Sequence, residues 1–475
     1  MSTDRWPVRG LILCFAVLMT FAARGDLCLD ELWSIHFAHE ATSYADLFWH
    51  RHDNNHLINS WYLHLIGENR AALTYRALSV LAGILSLCLA ARIARALWNE
   101  TAARIAVVLL GSSFPLLVYF SEARGYALAI LMSLASFELV CLRLGGLGHA
   151  AAPAVQRGCC AAYWTTSVIG LLAHGSYLFV AMALIAFSVV HELNAARAPI
   201  VRVARLIAVH GLPSVFFIGW YYLFFWHGEI GGGLAVPTNE VMGNAATWLL
   251  GTPYSADFFP LAMGLALLLV VSGIGTMALR NKELAVFFAC VTILPAALIL
   301  LVWRPEFFYF RYFLVTFPFF LLLATGLLSY LLDRLDVEYS GIVWLVLAMY
   351  IAGQLPRDIK LLQVGRGQHA AALTFIATNS VGQSVTVSSD HDFRNAGIFQ
   401  YYAARRSSKP ELRYVFFEEL AVLQPEWMIT HSIGRSLAPP DSLELEGVGR
   451  YAFVVEFPAI EISGQSWQLY AQRKR

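Results

Sequence analysis

Asp30 and Glu31 form an acidic dyad directly behind the first long apolar stretch of the chain. A carboxylate held just above a membrane can take a proton from a hydroxyl that attacks a lipid-borne electrophile. The same pair suits the start of a helix, where acids favour the dipole. Leu32, Ile35 and Phe37 would give that helix apolar contacts. A solvated helix cap is therefore the competing reading of the dyad.

Four further groups carry chemistry-bearing residues. His50-Arg51-His52-Asp53-Asn54-Asn55-His56 precedes 57–66, which has interfacial-helix character through Trp61 and Tyr62. Histidines 36, 39, 50, 52, 56 and 64 crowd this region, but no two spacings form a recognised metal-ligand set. Asp53-Asn54-Asn55 is also a good turn sequence. Glu122-Ala123-Arg124-Gly125-Tyr126 joins two apolar runs by a tight hairpin. Arg124 there reads either as a snorkelling arginine paired with Glu122 or as a phosphate clamp, since guanidinium grips phosphate oxygens bidentately. Arg304 and Arg311 flank an aromatic run, and Arg311 begins an apolar helix. His174 lies in a short hairpin and reads as a buried, hydrogen-bonded histidine; Glu138 reads as structural.

The elements that position these residues are spans. Of 475 residues, 58% are hydrophobic and 14% charged, against about 25% charged in an ordinary soluble domain. A net charge of +1 gives no bulk attraction for nucleic acid. A spanning helix needs roughly 20 mostly apolar residues. About eleven stretches qualify, centred on 8–23, 72–91, 105–120, 126–142, 161–173, 177–190, 206–226, 258–278, 284–303, 312–332 and 341–355.

Arg5, Arg9, Arg92, Arg95, Arg143, Arg157, Arg197, Arg202, Arg205, Arg280, Lys282 and Arg334 fall on one side of that alternation. The positive-inside rule then places the N-terminus in the cytoplasm and the C-terminal segment outside. A cleaved signal peptide is the alternative for the first stretch, with Phe21-Ala22-Ala23-Arg24 as its end.

Three external pieces follow. They are the first loop at 24–70, a second loop from 227 to about 257 with Gly231-Gly232-Gly233, and a tail at 356–475. Thr238 is expected to cap an interfacial helix in the second. In the tail, β-branched runs at 385–387, 451–455 and 467–470 alternate with a helical stretch near 396–404, which reads as a small α/β domain. The expected fold is thus an α-helical polytopic membrane protein, residues 1–355, with a small extracytoplasmic α/β domain behind it. Six of the seven cysteines fall in or beside apolar runs, Cys28 stands alone in the first loop, and no CxxC spacing occurs.

With these pieces in order, the chain resembles the GT-C superfamily of membrane glycosyltransferases. The branch is that of the protein O-mannosyltransferases and the lipid A aminoarabinose transferase. The matching residues are Asp30-Glu31, Asn54-Asn55-His56-Leu57, Glu122-Ala123-Arg124-Gly125-Tyr126, His174 with Tyr177, and Arg311-Tyr312-Phe313-Leu314 ahead of Pro318. They cover most of residues 1–330. Leu57 stands where many relatives have proline.

The resemblance implies inverting transfer of a sugar from a polyprenyl-phosphate donor to a hydroxyl of a lipid, polysaccharide or protein. It makes Asp30 the general base, with Glu31 orienting acceptor or base. Arg124 and Arg311 would stabilise the phosphate leaving group. His56 would position sugar or acceptor, and Asn55, Glu122, Tyr126 and His174 would complete the substrate site. A divalent metal is compatible with the resemblance and not required by it. Separately from the resemblance, the alanine-rich composition suggests a plasma, or inner, membrane. Two alternatives stand beside this reading: a flippase for a lipid-linked saccharide, and a non-catalytic assembly subunit that binds through its tail. A flippase would call for midplane charges or internal repeats, and the sequence offers few of the first and no convincing case of the second.

Overall fold

The computed structural model describes residues 6–145, 153–226, 236–305, 307–434 and 438–472. Gly231, Gly232, Gly233 and Glu306 lie outside these residues. Each of the eleven apolar stretches is helical. Among the described residues eight helices are long and apolar enough to cross a membrane, or nine when a bent pair is counted as one span. Trp6–Ala22 and Pro153–Ala173 hold the two remaining stretches in shorter apolar helices, and His369–Thr378 in the tail is a third short apolar helix among the described residues.

Exposure grades these helices by position. In the span Phe310–Arg334, 78% of the most apolar window is buried, so it forms the centre of the bundle. In Ala256–Arg280 the figure is 17%, and Leu261, Leu265, Leu267 and Leu268 face outward. So large an apolar surface is stable only against lipid.

The expected span 105–120 is two helices, Glu100–Gly111 and Phe114–Phe120, bent by 71°. Pro115 explains the break. In a continuous helix its ring would clash with the carbonyl of Gly111, four residues earlier. The freed N–H of Phe114 donates to the buried Gln354 side chain at 3.2 Å, whose Nε2 donates in turn to the Trp248 carbonyl at 2.9 Å. The last span also departs from expectation: it runs Val337–Val364, straight through Pro356. Thr238 does not cap its helix. It is the first residue of Thr238–Leu250, and Pro237 occupies the cap position.

Three short helices, Leu29–Glu40, Tyr44–Trp49 and Leu57–Ile66, lie between the first helix and the long Ala72–Leu97. The tail forms a six-stranded mixed sheet. Its strands are β1 (Ser384–Ser389), β2 (Glu411–Tyr414), β3 (Trp427–Ile433), β4 (Ser442–Leu445), β5 (Gly449–Phe457) and β6 (Gln465–Gln472), in the order β2-β1-β3-β6-β5-β4. β1 runs parallel to β2 and β3, and the other pairs are antiparallel.

Alternation along β3 separates the two faces of the sheet. Ile429 packs with Ile398 and Phe399 of helix Asp392–Ala403, whereas Met428 packs with Leu420, Tyr451 and Tyr470. The first face continues into the first loop. Leu32, Ile35, Ala38 and Leu63 share its core with Val385, Val387 and Trp467. The helix that carries Asp30 is therefore clamped between the bundle and the tail.

Candidate active site

Asp30 and Glu31 occupy the first turn of Leu29–Glu40, adjacent in sequence and opposite in role. Glu31 is fully buried. Its Oε1 accepts from Arg76 Nε and the Ala123 N–H, both at 2.7 Å. Its Oε2 accepts from Arg76 Nη2 at 2.6 Å and the Cys28 N–H at 2.9 Å. Burial opposes ionisation of Glu31, and the bidentate Arg76 outweighs it, so the carboxyl is held below its ordinary range. With these bonds made, Glu31 has no free edge to offer a substrate. Arg76 also donates to the carbonyls of Ala23, Gly25 and Asp26. The pair ties the end of the first helix to the start of the next.

Asp30 remains reachable, with its side chain 27% exposed. Its Oδ2 accepts from Arg124 Nη1 at 2.6 Å and Arg311 Nη1 at 2.9 Å. Among the described residues no hydrogen bond reaches Oδ1. Burial disfavours the Asp30 carboxylate, but the charges of Arg124 and Arg311 prevail and hold it below the usual carboxylate range.

Arg124 comes from the Ser121–Gly125 turn and is buried, which sets aside the snorkelling reading. Glu122 Oε1 lies 3.8 Å away, a weaker partner than Asp30. Arg124 Nη2 donates to Asn54 Oδ1 at 2.7 Å, and the Arg124 guanidinium lies 5.2 Å from the Tyr126 ring. Arg311 enters from the 3₁₀ segment Phe310–Thr316 and stacks on Tyr309 at 4.6 Å.

His56 Nδ1 accepts the Gly125 N–H at 2.8 Å, so the neutral ring carries its proton on Nε2, 3.4 Å from Arg124. Burial, with Arg124 and His174 nearby, pulls the His56 pKa well below its ordinary value. His174 is pulled down to about 3 by burial and the two arginines. Its ring packs 4.2 Å from Tyr126 and 4.9 Å from His56. The site therefore presents neutral imidazoles beside two fixed guanidiniums.

Gly125 is required by contact: a Cβ there would meet the Ala173 carbonyl oxygen at 1.9 Å. That closeness lets the hairpin carry Arg124 against His56 and His174.

Asn55 stands apart from the cluster. Its amide donates to the carbonyls of Leu47 and His50, and its oxygen accepts from Ser60, so it shapes the loop. Asn54 is the neighbour that reaches Arg124. Glu122 is buried against Arg366, whose Nε lies 3.4 Å from its Oε2. Burial pushes the Glu122 carboxyl up, while Arg366 and Arg124 pull it back. Arg366 also donates to Val118, Ser121 and Ala22, fastening the start of the tail to the bundle.

Arg76 and Arg366 were not expected at the site, and Asn54, part of the matching motif, had been given no role there. Arg76 had a signal, since it is a charge inside the first turns of a span. Among the described residues no group of three or more His, Cys, Asp or Glu side chains is arranged to hold a metal ion, and each carboxylate of the cluster faces an arginine.

No protein-family model matches the chain, and no curated protein sequence matches it. Solved structures do. ArnT, the lipid A aminoarabinose transferase, from Cupriavidus metallidurans in the apo state superposes with a TM-score of 0.56 at 14% identity, over 89% of this chain and 92% of that one. The same enzyme bound to undecaprenyl phosphate gives 0.55, at the same identity and coverage. The oligosaccharyltransferase AglB of Archaeoglobus fulgidus, in complex with an inhibitory peptide and a dolichol-phosphate, gives 0.50 at 11% identity, over 90% of this chain and 70% of that one. At these identities the likeness is one of architecture, and it agrees with the resemblance carried by the motifs: the chain has the fold of the GT-C membrane glycosyltransferases.

Proposed function

We infer that the chain is a polyprenyl-phosphate-sugar-dependent glycosyltransferase. It moves the sugar to a hydroxyl acceptor with inversion, at the outer face of a plasma membrane. The observation that carries this is the Asp30 carboxylate bridged by Arg124 and Arg311 at 2.6 and 2.9 Å. The neighbours with this fold were solved with undecaprenyl phosphate and dolichol-phosphate, which supports a lipid-phosphate donor here.

Two guanidiniums converging on one carboxylate oxygen also fit the oxygens of a phosphate. A donor phosphate competes with Asp30 for them. Once it takes them, the positive field on Asp30 is shared and its basicity rises. Asp30 then accepts the proton of the attacking hydroxyl, while Arg124 and Arg311 stabilise the charge that grows on the departing phosphate. Attack from the face opposite the leaving phosphate inverts the anomeric centre. His56 Nε2–H supplies a neutral donor beside the same site. Glu31 positions the helix that carries Asp30. The arginines on the opposite side of the span alternation support a cytoplasmic N-terminus and an extracytoplasmic tail.

The test is transfer of radiolabel from polyprenyl-phosphate sugars in membranes that contain the chain. Label should pass into a glycan, lipid or protein fraction above the level of membranes lacking it. No transfer from any polyprenyl-phosphate sugar, together with movement of the intact donor across the bilayer, would replace this reading with a flippase.

A further inference from the structure

The tail carries a second constellation beside Asp30. β1 lies between its parallel neighbours β2 and β3, and the chain leaves it through helix Asp392–Ala403 on one face of the sheet. The return from β2 to β3 passes through Leu420 on the other face. The carboxyl ends of β1 and β3 therefore meet at a topological switch point, where open α/β sheets form a ligand crevice.

Asp390 and His391 follow β1 there, and His431 lies near the end of β3. Asp390 Oδ1 accepts from His431 Nδ1 at 2.8 Å, and Oδ2 from the His431 N–H at 3.1 Å. The fully buried Asn395 donates to Asp390 at 3.0 Å and is itself fixed by Gln465 and Trp467. The dyad is thus oriented from inside the domain, with the Asp390 side chain 33% exposed and that of His431 13% exposed. Phe393 is 53% exposed and stacks on Trp33 with ring centroids 5.6 Å apart. Trp33 is one helical turn from Asp30, and Arg394 contributes to the electrostatic field at Asp30. The transfer mechanism uses none of these tail residues.

We propose that Phe393, His431, Asp390 and Arg394, with Trp33, form a saccharide-binding surface that presents a glycan acceptor to Asp30. The proposal rests on the transferase reading and names its acceptor class. A pyranose has an apolar C–H face and a rim of hydroxyls that both donate and accept. A half-exposed aromatic ring beside a rigidly held carboxylate–imidazole pair and a guanidinium matches both features. β1 and β3 are interior strands, so no free edge is offered there to an extended peptide. The charged groups around a single exposed ring do not suit a lipid chain.

The experiment uses the full-length chain in nanodiscs on an array of immobilised neutral and acidic oligosaccharides. Anionic-lipid vesicles and a peptide library serve as competing probes. Wild type should retain at least one oligosaccharide class, and Phe393→Ala and His431→Gln should each weaken retention at least tenfold with an unchanged size-exclusion profile. No oligosaccharide retained, equal retention by the variants, or capture of vesicles or peptides in its place would overturn the proposal. Donor transfer by Asp30→Asn is measured separately, so loss of the transferase reading is distinguished from loss of this surface.

Discussion

Arg124 donates to Asp30 at 2.6 Å although 94 residues separate them in the chain. The contact joins the first turn of one helix to the hairpin between two others, and the fold around it serves to make that meeting possible. The central span delivers Arg311 to the same oxygen. A carboxylate so held is ionised and weakly basic until something else takes the guanidiniums.

Arg124→Ala should lower transfer turnover by about 10²–10³-fold, the usual effect of removing one donor to a developing oxyanion. Arg124→Lys should recover only part, because an ammonium cannot bridge Asp30 and Asn54 in the same planar geometry. Steady-state kinetics with saturating acceptor would show this, and unchanged turnover in the alanine variant would remove Arg124 from the mechanism.

Glu31→Gln should act on stability first. It leaves Arg76 buried without its counter-charge, and breaking a buried pair costs about 3–5 kcal/mol. Thermal unfolding of the purified chain in detergent should shift down markedly. Glu31 was expected to orient acceptor or base, and an unchanged melting temperature with lost turnover would assign it a direct part in the reaction in place of this structural one.

Gly125→Ala should prevent assembly of the site. The added methyl group meets a backbone carbonyl at 1.9 Å, which no side-chain rotation relieves. Detergent size-exclusion of the expressed variant should show aggregated or absent protein. A folded, active variant would show that the hairpin can shift away from Ala173.

The pH response follows from the histidines. His174 falls from its ordinary value of 6.5 to about 3 in the fold, and His56 moves in the same direction. The unfolded chain takes up these protons first. Stability is therefore full above about pH 6.5 and declines as pH drops toward 3, with a smaller decline in His174→Gln. Activity should show no histidine titration between pH 6 and 8. A transition there in the wild type that disappears in His56→Gln would contradict the neutral-imidazole assignment.

The spans were legible because about 20 consecutive apolar residues have few other uses. Asp30 was legible as an acid just behind the first span, Arg124 as an arginine in a tight hairpin between two spans, and Arg311 as one that begins an apolar helix. The 71° break at Pro115 was hidden, because the apolar run continues through it. Asn54 and Asn55 could not be told apart by type; only the turn geometry sends one amide to Arg124 and the other to loop carbonyls. Arg366 carried no local signal, since its partner Glu122 lies 244 residues away. The division of labour between Asp30 and Glu31 was likewise decided by tertiary partners, not by the dyad itself.

The most direct measurement compares transfer from a polyprenyl-phosphate sugar by wild type and Asp30→Asn, matched for expression. Donor-phosphate binding is recorded alongside. The account predicts that Asp30→Asn abolishes transfer yet binds the lipid phosphate at least as tightly, because Arg124 and Arg311 are no longer occupied by a carboxylate. Equal transfer by the two proteins would contradict it, and the base would have to be sought elsewhere.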